Sequence, residues 1–218
     1  MTTLLLAGAT GLVGGEALKL ALADTRVARI VAPTRRPLPP HPKLLNPLIN
    51  SRDLHPEADW WAVDGAICAL GTTRAQAGSA AAFRAIDHDF ALAIATRIRE
   101  CGATRFALTS SMGADARSRF LYTRTKGELE NAVIRLDFPS LTIVRPGFLG
   151  GDRSEHRPME RFVGGLLRIA APILPAGARI SPAATVAAFL VDAALNGAPG
   201  KHVVTAARIA TAAARDRA

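Results

Sequence analysis

Short apolar runs alternate along this chain with stretches in which apolar residues return every three or four positions. The runs fall at 4–7, 29–32, 43–49, 66–70, 106–109, 141–144 and 202–205. Their length and near-continuous apolar character predict strands covered on both faces. The third is the weakest, because Pro47 cannot donate to a ladder. Between the runs, residues 16–23, 79–100, 159–171 and 183–196 carry helical spacing. The stretch 79–100 keeps Ala82, Phe83, Ile86, Phe90, Ile94 and Ile98 in helical register, opens on Ser79 as a cap and stops at Gly102. Strands alternating with helices predict an α/β fold built on a doubly wound parallel sheet. No linker or internal repeat divides the chain, so one domain over 1–218 is expected, with 147–200 contributing a small C-terminal cap. The Ala- and Arg-rich tail predicts a last helix or a frayed end.

Composition narrows the class. The chain has 218 residues, 49% of them hydrophobic and 21% charged, which fits a globular domain and excludes a disordered chain. No apolar run reaches the ~20 residues of a membrane span; the longest, 183–195, contains Asp192. The apolar N-terminus lacks a basic leader and predicts no signal peptide. Cys68 and Cys101 form no close pair and the five histidines stand singly, so no metal site is expected. This cysteine usage predicts a reducing compartment, and a cytoplasmic location is the expectation. The net charge of +9 is spread along the chain, and aromatics make up only 5%, too few for base-stacking platforms. No specific nucleic-acid partner is expected; an anionic cofactor or substrate explains part of the charge. Trp60 and Trp61 predict packing or a subunit contact, and the chain is expected to be a monomer or homodimer.

The candidate chemistry begins at Leu4-Leu5-Leu6-Ala7-Gly8-Ala9-Thr10-Gly11-Leu12-Val13-Gly14-Gly15. Strand, glycine turn and helix in that order form a cradle for a dinucleotide pyrophosphate. Gly8 permits the sharp turn, Gly11 lets backbone approach phosphate, and Gly14 lets the helix pack closely. The helix N-terminus supplies N–H groups and a partial positive charge. A second strand end, Leu70-Gly71-Thr72, should face the same ligand, because ligands of open parallel sheets sit beyond the carboxyl ends of strands. About 20 residues past the glycines, an acid would meet the adenosine ribose. None lies between Asp24 and Asp53; Arg35 and Arg36 stand there instead. Two guanidiniums at that place predict recognition of a 2′-phosphate, hence NADP over NAD.

The second informative stretch follows the fifth strand. Ser110-Ser111 ends it, and Tyr122 and Lys126 come next, four apart and so on one helical face. A phenol is a poor acid–base group at neutral pH, and a nearby ammonium favours its phenolate. Either serine could hydrogen-bond the same substrate oxygen. Asp87-His88-Asp89 lies inside the long helix, where neighbours do not share a face, so it predicts no metal or acid–base cluster. Polar residues 152–161, with Arg153, Arg157 and Arg161, predict a loop near the substrate or a solvated connection.

Taken together, Gly8 to Gly14, Cys68 to Thr73, Ser110-Ser111, Tyr122-x-x-x-Lys126-Gly127-Glu128 and Arg145-Pro146-Gly147 resemble the atypical short-chain dehydrogenase/reductase superfamily, in its Tat-interacting-protein-like branch. The resemblance runs from the N-terminus to about Arg161. It implies a Rossmann fold with a substrate-side cap and an NADP cofactor held by Gly8, Thr10, Gly11, Leu12, Val13, Gly14, Arg35, Arg36, Leu70, Gly71 and Thr72, with Pro146 and Gly147 lining the nicotinamide pocket. It implies a catalytic triad of Ser110, Tyr122 and Lys126, the serine chosen by its 12-residue distance from Tyr122. Asp87 sits where many members carry a helix Asn, which leaves a fourth member open. The implied activity is oxidoreduction of a carbonyl or alcohol on a small molecule. An epimerase or dehydratase using the same triad, and a non-catalytic NADP sensor, are the alternatives.

Overall fold

The computed structural model describes residues 1–49, 54–150 and 180–215. Seven strands form one sheet: β1 (Thr2–Ala7), β2 (Val27–Val31), β3 (Leu44–Leu45), β4 (Gly65–Cys68), β5 (Arg105–Thr109), β6 (Ser140–Arg145) and, last in the chain, β9 (Gly200–Thr205). Their order is β3-β2-β1-β4-β5-β6-β9, and every neighbouring pair is parallel. The chain winds outward from β1 to β3, then returns to β4 and winds the other way. The order therefore reverses between β1 and β4, and this is the switch point at which doubly wound sheets bind ligands. The expected fold class is present.

The apolar runs divide cleanly between two layers. Leu4 and Leu6 of β1 join Ile30, Ile67, Ala107 and Val144 under α1 (Leu12–Ala23) and α6 (Ala183–Asn196). Leu5 and Ala7 join Val31, Ala66, Cys68, Phe106, Leu108 and Ile143 under α4 (Ala91–Glu100) and α5 (Leu121–Ile134). Successive residues of a strand face opposite ways, so both faces of a covered sheet must be apolar. Trp61 is fully buried in the second layer, and its indole N–H donates to the His55 carbonyl at 3.0 Å. Its role is packing, with the half-buried Trp60 ring 4.2 Å away.

Three expectations change in detail. The stretch 79–100 is not one regular helix. Thr73 caps a short α2 (Arg74–Ala77), Ser79 caps α3 (Ala80–Arg84), and a π-helical segment, Ala85–Phe90, joins α3 to α4. The third strand shrinks to two residues plus an isolated bridge between Thr34 and Leu48, because Pro47 interrupts it, as its missing N–H requires. Inside the stretch 147–200, expected to contribute a cap, α6 packs on α1 as part of the first layer, and β9, the edge strand of the sheet, starts at its last residue, Gly200. The two-residue strands β7 (Leu149–Gly150) and β8 (Ser181–Pro182) pair in parallel as a separate two-stranded sheet. The helix expected at 159–171, and Arg153, Arg157 and Arg161, lie outside the described residues. The tail forms α7 (Ala206–Arg215). Among the described residues no helix is long and apolar enough to cross a membrane.

The packing of α6 on β4 leaves no room at Gly65, where a Cβ would stand 2.4 Å from the Ala194 oxygen. Gly65→Ala is therefore expected to cost about 1–3 kcal/mol, as overpacking does, measured as a lower midpoint in denaturant unfolding.

Candidate functional site

The glycine turn fills the switch point. Gly8 holds φ at 91°. A Cβ there would lie 2.7 Å from the carbonyl carbon of Ala69, just past β4, and a Cβ on Gly14 would lie 2.0 Å from the Gly8 oxygen. Both contacts are backbone against backbone, so nothing can swing aside. The Gly11 N–H donates to the Gly8 oxygen at 2.9 Å, and α1 starts without a side-chain cap. An uncapped helix start offers N–H donors and the positive end of the helix dipole. Thr10 and Gly11 are exposed and Leu12 is half-buried, whereas Val13 and Gly14 are buried in the packing of α1. A cradle nearly free of side chains, at the reversal of strand order, fits the pyrophosphate of a dinucleotide.

Arg35 and Arg36 follow β2 and are both exposed. Asn46 pins their loop: its amide donates to the Ala32 oxygen at 2.6 Å and the Thr34 hydroxyl at 2.8 Å, while that hydroxyl donates to the Arg36 oxygen at 2.6 Å. On the far side, Leu70 packs into the second layer and Gly71 and Thr72 lie at its rim.

Beneath this rim lies a buried ion pair. Lys126 Nζ is 2.7 Å from Asp87 Oδ1, and the other Asp87 oxygen accepts the Thr72 N–H at 2.8 Å. Lys126 is 3% exposed and Asp87 1%. A Cβ on Gly71 would come within 3.8 Å of the carboxylate and 4.0 Å of the ammonium, so the pair borders the loop expected to face the ligand. Burial pushes the Lys126 ammonium down, but the Asp87 carboxylate, with Tyr122 and Cys68 behind it, reverses the sign and holds it above the ordinary lysine range. Burial pushes the Cys68 thiol up. Asp87 reaches the pair from the π-helical segment, a distortion common at functional sites.

Helix α5 carries Tyr122, Lys126 and Glu130 at steps of four. Its depth is set by Gly127, where a Cβ would be 2.3 Å from the Ala116 nitrogen. Tyr122 is 45% exposed, with its ring 5.9 Å from that of Phe83. The Ser110 hydroxyl donates to Glu130 Oε1 at 2.5 Å. Arg145 grips both oxygens of the same carboxylate, Nε to Oε1 at 2.9 Å and an Nη to Oε2. That carboxylate raises the Arg145 guanidinium above its ordinary range. The Ser111 hydroxyl is buried and has no hydrogen-bond partner among the described residues. Beyond β6, the buried Pro146 accepts the Met112 N–H at 2.8 Å, and the Gly147 N–H donates to the Ser181 hydroxyl at 3.0 Å.

The structure thus gathers Gly8 to Gly14, Leu70 to Thr72, Asp87 and Lys126 along the carboxyl edge of the sheet, with Tyr122 beside Lys126. It directs Ser110 into a lock with Glu130 and Arg145 that the motif reading did not include. The signal was available in the spacing, since Glu130 continues the step of four from Tyr122 through Lys126.

Strand order and glycine turn together define a Rossmann-type protein of dinucleotide-binding architecture. The chain belongs to the FMP52 family. It is 39% identical over 170 residues to "Protein FMP52, mitochondrial" of Lodderomyces elongisporus, covering 71% of this chain and 70% of that protein. It is 39% identical over 184 residues to "Protein fmp52, mitochondrial" of Emericella nidulans, covering 77% and 76%. These names correct the expected cytoplasmic location, since both relatives are designated mitochondrial. No protein-family model matches the chain. Among solved structures, MoeE5 in complex with UDP-glucuronic acid and NAD superposes with a TM-score of 0.70 at 18% identity, covering 93% of this chain and 75% of that one. The Bordetella bronchiseptica enzyme WbmH in complex with NAD+ gives 0.70 at 13%, covering 100% and 81%.

The ion pair makes a direct prediction. Asp87→Asn leaves the Lys126 ammonium buried without its counter-charge, which is expected to cost about 3–5 kcal/mol at neutral pH. Because the folded lysine titrates above its unfolded value, the wild-type pair stabilises fully below about pH 10.4 and is lost only as pH rises through the higher folded value. Unfolding curves of both proteins from pH 7 to 11 measure this. The gap is expected to hold across neutral pH and to narrow at the alkaline end.

Proposed function

We propose that this protein is an NADP-dependent oxidoreductase acting on the carbonyl or alcohol of a small molecule. The observation that carries this reading is the placing of Tyr122 and a charged Lys126 on one face of α5, at the sheet edge where the glycine turn offers a dinucleotide cradle. Bound in that cradle, the nicotinamide would supply or accept the hydride. Tyr122 gives or takes the proton at the substrate oxygen. Lys126, kept cationic by Asp87, fixes the electrostatics around that phenol and meets the cofactor ribose. A serine of the Ser110–Ser111 pair orients the substrate oxygen. Pro146 and Gly147 close the nicotinamide end, and the residues of 147–200 at that edge form the substrate side.

The NAD bound to MoeE5 and WbmH supports a nicotinamide cofactor in this fold. Preference for NADP rests on Arg35 and Arg36, which are exposed at the end of β2 with no acid between Asp24 and Asp53. Assignment to the Tat-interacting-protein-like branch rests on the 12-residue step from Ser110 to Tyr122 and the run Lys126-Gly127-Glu128. The likeness of the fold to UDP-glucuronic acid 4-epimerase from Bacillus cereus in complex with NAD, at a TM-score of 0.59, makes an epimerase the second reading. An epimerase returns its cofactor unchanged and consumes no NADPH.

Two experiments test the proposal. Tyr122→Phe is expected to retain NADPH affinity and to lose turnover by at least about 10²-fold, measured as NADPH oxidation against a panel of aldehydes, ketones and quinones; near-wild-type turnover contradicts the role of the phenol. Arg35→Ala is expected to weaken NADPH by about one to two decades, the weight of a charge-assisted hydrogen bond, and to leave NADH little changed. Calorimetric titration of both cofactors reads this, and equal affinity of the wild type for the two returns the arginine pair to the solvent.

A further inference from the structure

Resting on the oxidoreductase reading, we propose that Ser111, and not Ser110, presents the hydroxyl that donates to the substrate oxygen, and that the Glu130–Arg145 lock enforces this choice. The backbone argument comes first. The β5–β6 ladder continues past β5, with the Ser110 N–H on the Val144 oxygen and the Met112 N–H on the Pro146 oxygen, both at 2.8 Å. The chain is therefore still extended through both serines, and their side chains leave on opposite sides. Phe106 and Leu108 lie in the layer of α4 and α5, and Ser110 continues that face to meet Glu130. Ser111 leaves on the other.

The chemistry of the two hydroxyls then differs. Ser110 is 3% exposed, and its proton is held by the Glu130 carboxylate, which Arg145 grips through both oxygens. A serine has one proton to donate, so Ser110 has none for a substrate unless it leaves Glu130 with an unfilled acceptor. The Ser111 hydroxyl is also buried, at 7% exposure, yet finds no partner among the described residues. Buried hydroxyls are almost always bonded, and one that is not calls for an explanation. Ser111 stands past the end of β5, next to Met112, whose N–H ties it to Pro146 at the nicotinamide end of the proposed site. A substrate carbonyl oxygen arriving there would accept the idle proton. The Thr109 hydroxyl, two residues earlier on the same face, also lacks a partner among the described residues but lies inside β5, and it serves as the control.

The account predicts opposite behaviour in stability and in activity. Ser110→Ala removes a charge-assisted bond and is expected to lower the melting temperature by about 3–12 °C, with less than a tenfold loss of kcat. Ser111→Ala removes a hydroxyl that no described residue satisfies, so the melting temperature is expected to stay level or rise, while kcat for NADPH-dependent reduction of 9,10-phenanthrenequinone falls about 10²-fold or more. Thr109→Val is expected to leave kcat unchanged. A larger kcat loss for Ser110→Ala than for Ser111→Ala, or a melting temperature lowered as far by Ser111→Ala as by Ser110→Ala, overturns the assignment. A wild type that oxidises NADPH against no aldehyde, ketone or quinone of the panel contradicts the oxidoreductase reading, and with it the assignment of either serine to a substrate oxygen.

Discussion

Backbone meets backbone at the centre of this fold, and it can do so only because two side chains are absent. The Gly8 carbonyl lies where a Cβ of Gly14 would be, and Ala69 lies where a Cβ of Gly8 would be. These two approaches draw the start of α1 onto the end of β1 and bring the end of β4 against the same turn. The reversal of strand order fixes where that contact falls, and above it the loops diverge to both sides of the sheet. Everything proposed for the site depends on this seat. With bulkier residues at these positions, the helix start would stand away from the β4 loop and the two halves of the cradle would separate.

The second constraint is electrostatic. Two carboxylates anchor the inner face of the site, each shared between elements that are distant in sequence. Asp87 joins the β4 loop to α5 through Thr72 and Lys126, and Glu130 joins α5 to β5 and β6 through Ser110 and Arg145. Buried charges are costly unless paired and hydrogen-bonded, so each network tolerates few arrangements. What such networks contribute is position: Lys126 is held at one height beside Tyr122, and Ser110 is held on Glu130 while its neighbour Ser111 is not. The fold thereby sorts side chains whose chemistry is identical.

Most of the architecture was legible in the sequence because covered parallel strands leave a simple trace. Leu4 to Ala7, Ala66 to Cys68 and Leu141 to Val144 are apolar at every position or nearly so, and the glycine spacing marks where the first strand turns into a helix. Less legible features came from tertiary contacts. The π-helical segment has no local signal in Ala85–Phe90; it forms where Asp87 reaches the β4 loop and Lys126. The order of the two serines along a strand end gives no hint of which one faces Glu130, since that depends on ladder register. The placing of α6 in the layer of α1 follows from an apolar content that serves equally well under a cap or over a sheet. Location was the plain error: cysteine usage suggested a reducing compartment and so the cytoplasm, and the names of the relatives point elsewhere.

The central claim is that a dinucleotide lies across the switch point between β1 and β4. Amide hydrogen exchange with and without saturating NADPH tests it most directly, because it reads binding segment by segment and needs no substrate. The account predicts slowed exchange confined to the glycine turn and first turn of α1, to residues 69–73, and to the strand ends carrying Arg35 and Ser111. Unchanged exchange in the glycine turn, or protection confined to the open groove beside α4 lined by Leu54, Leu92 and Arg97, would contradict it.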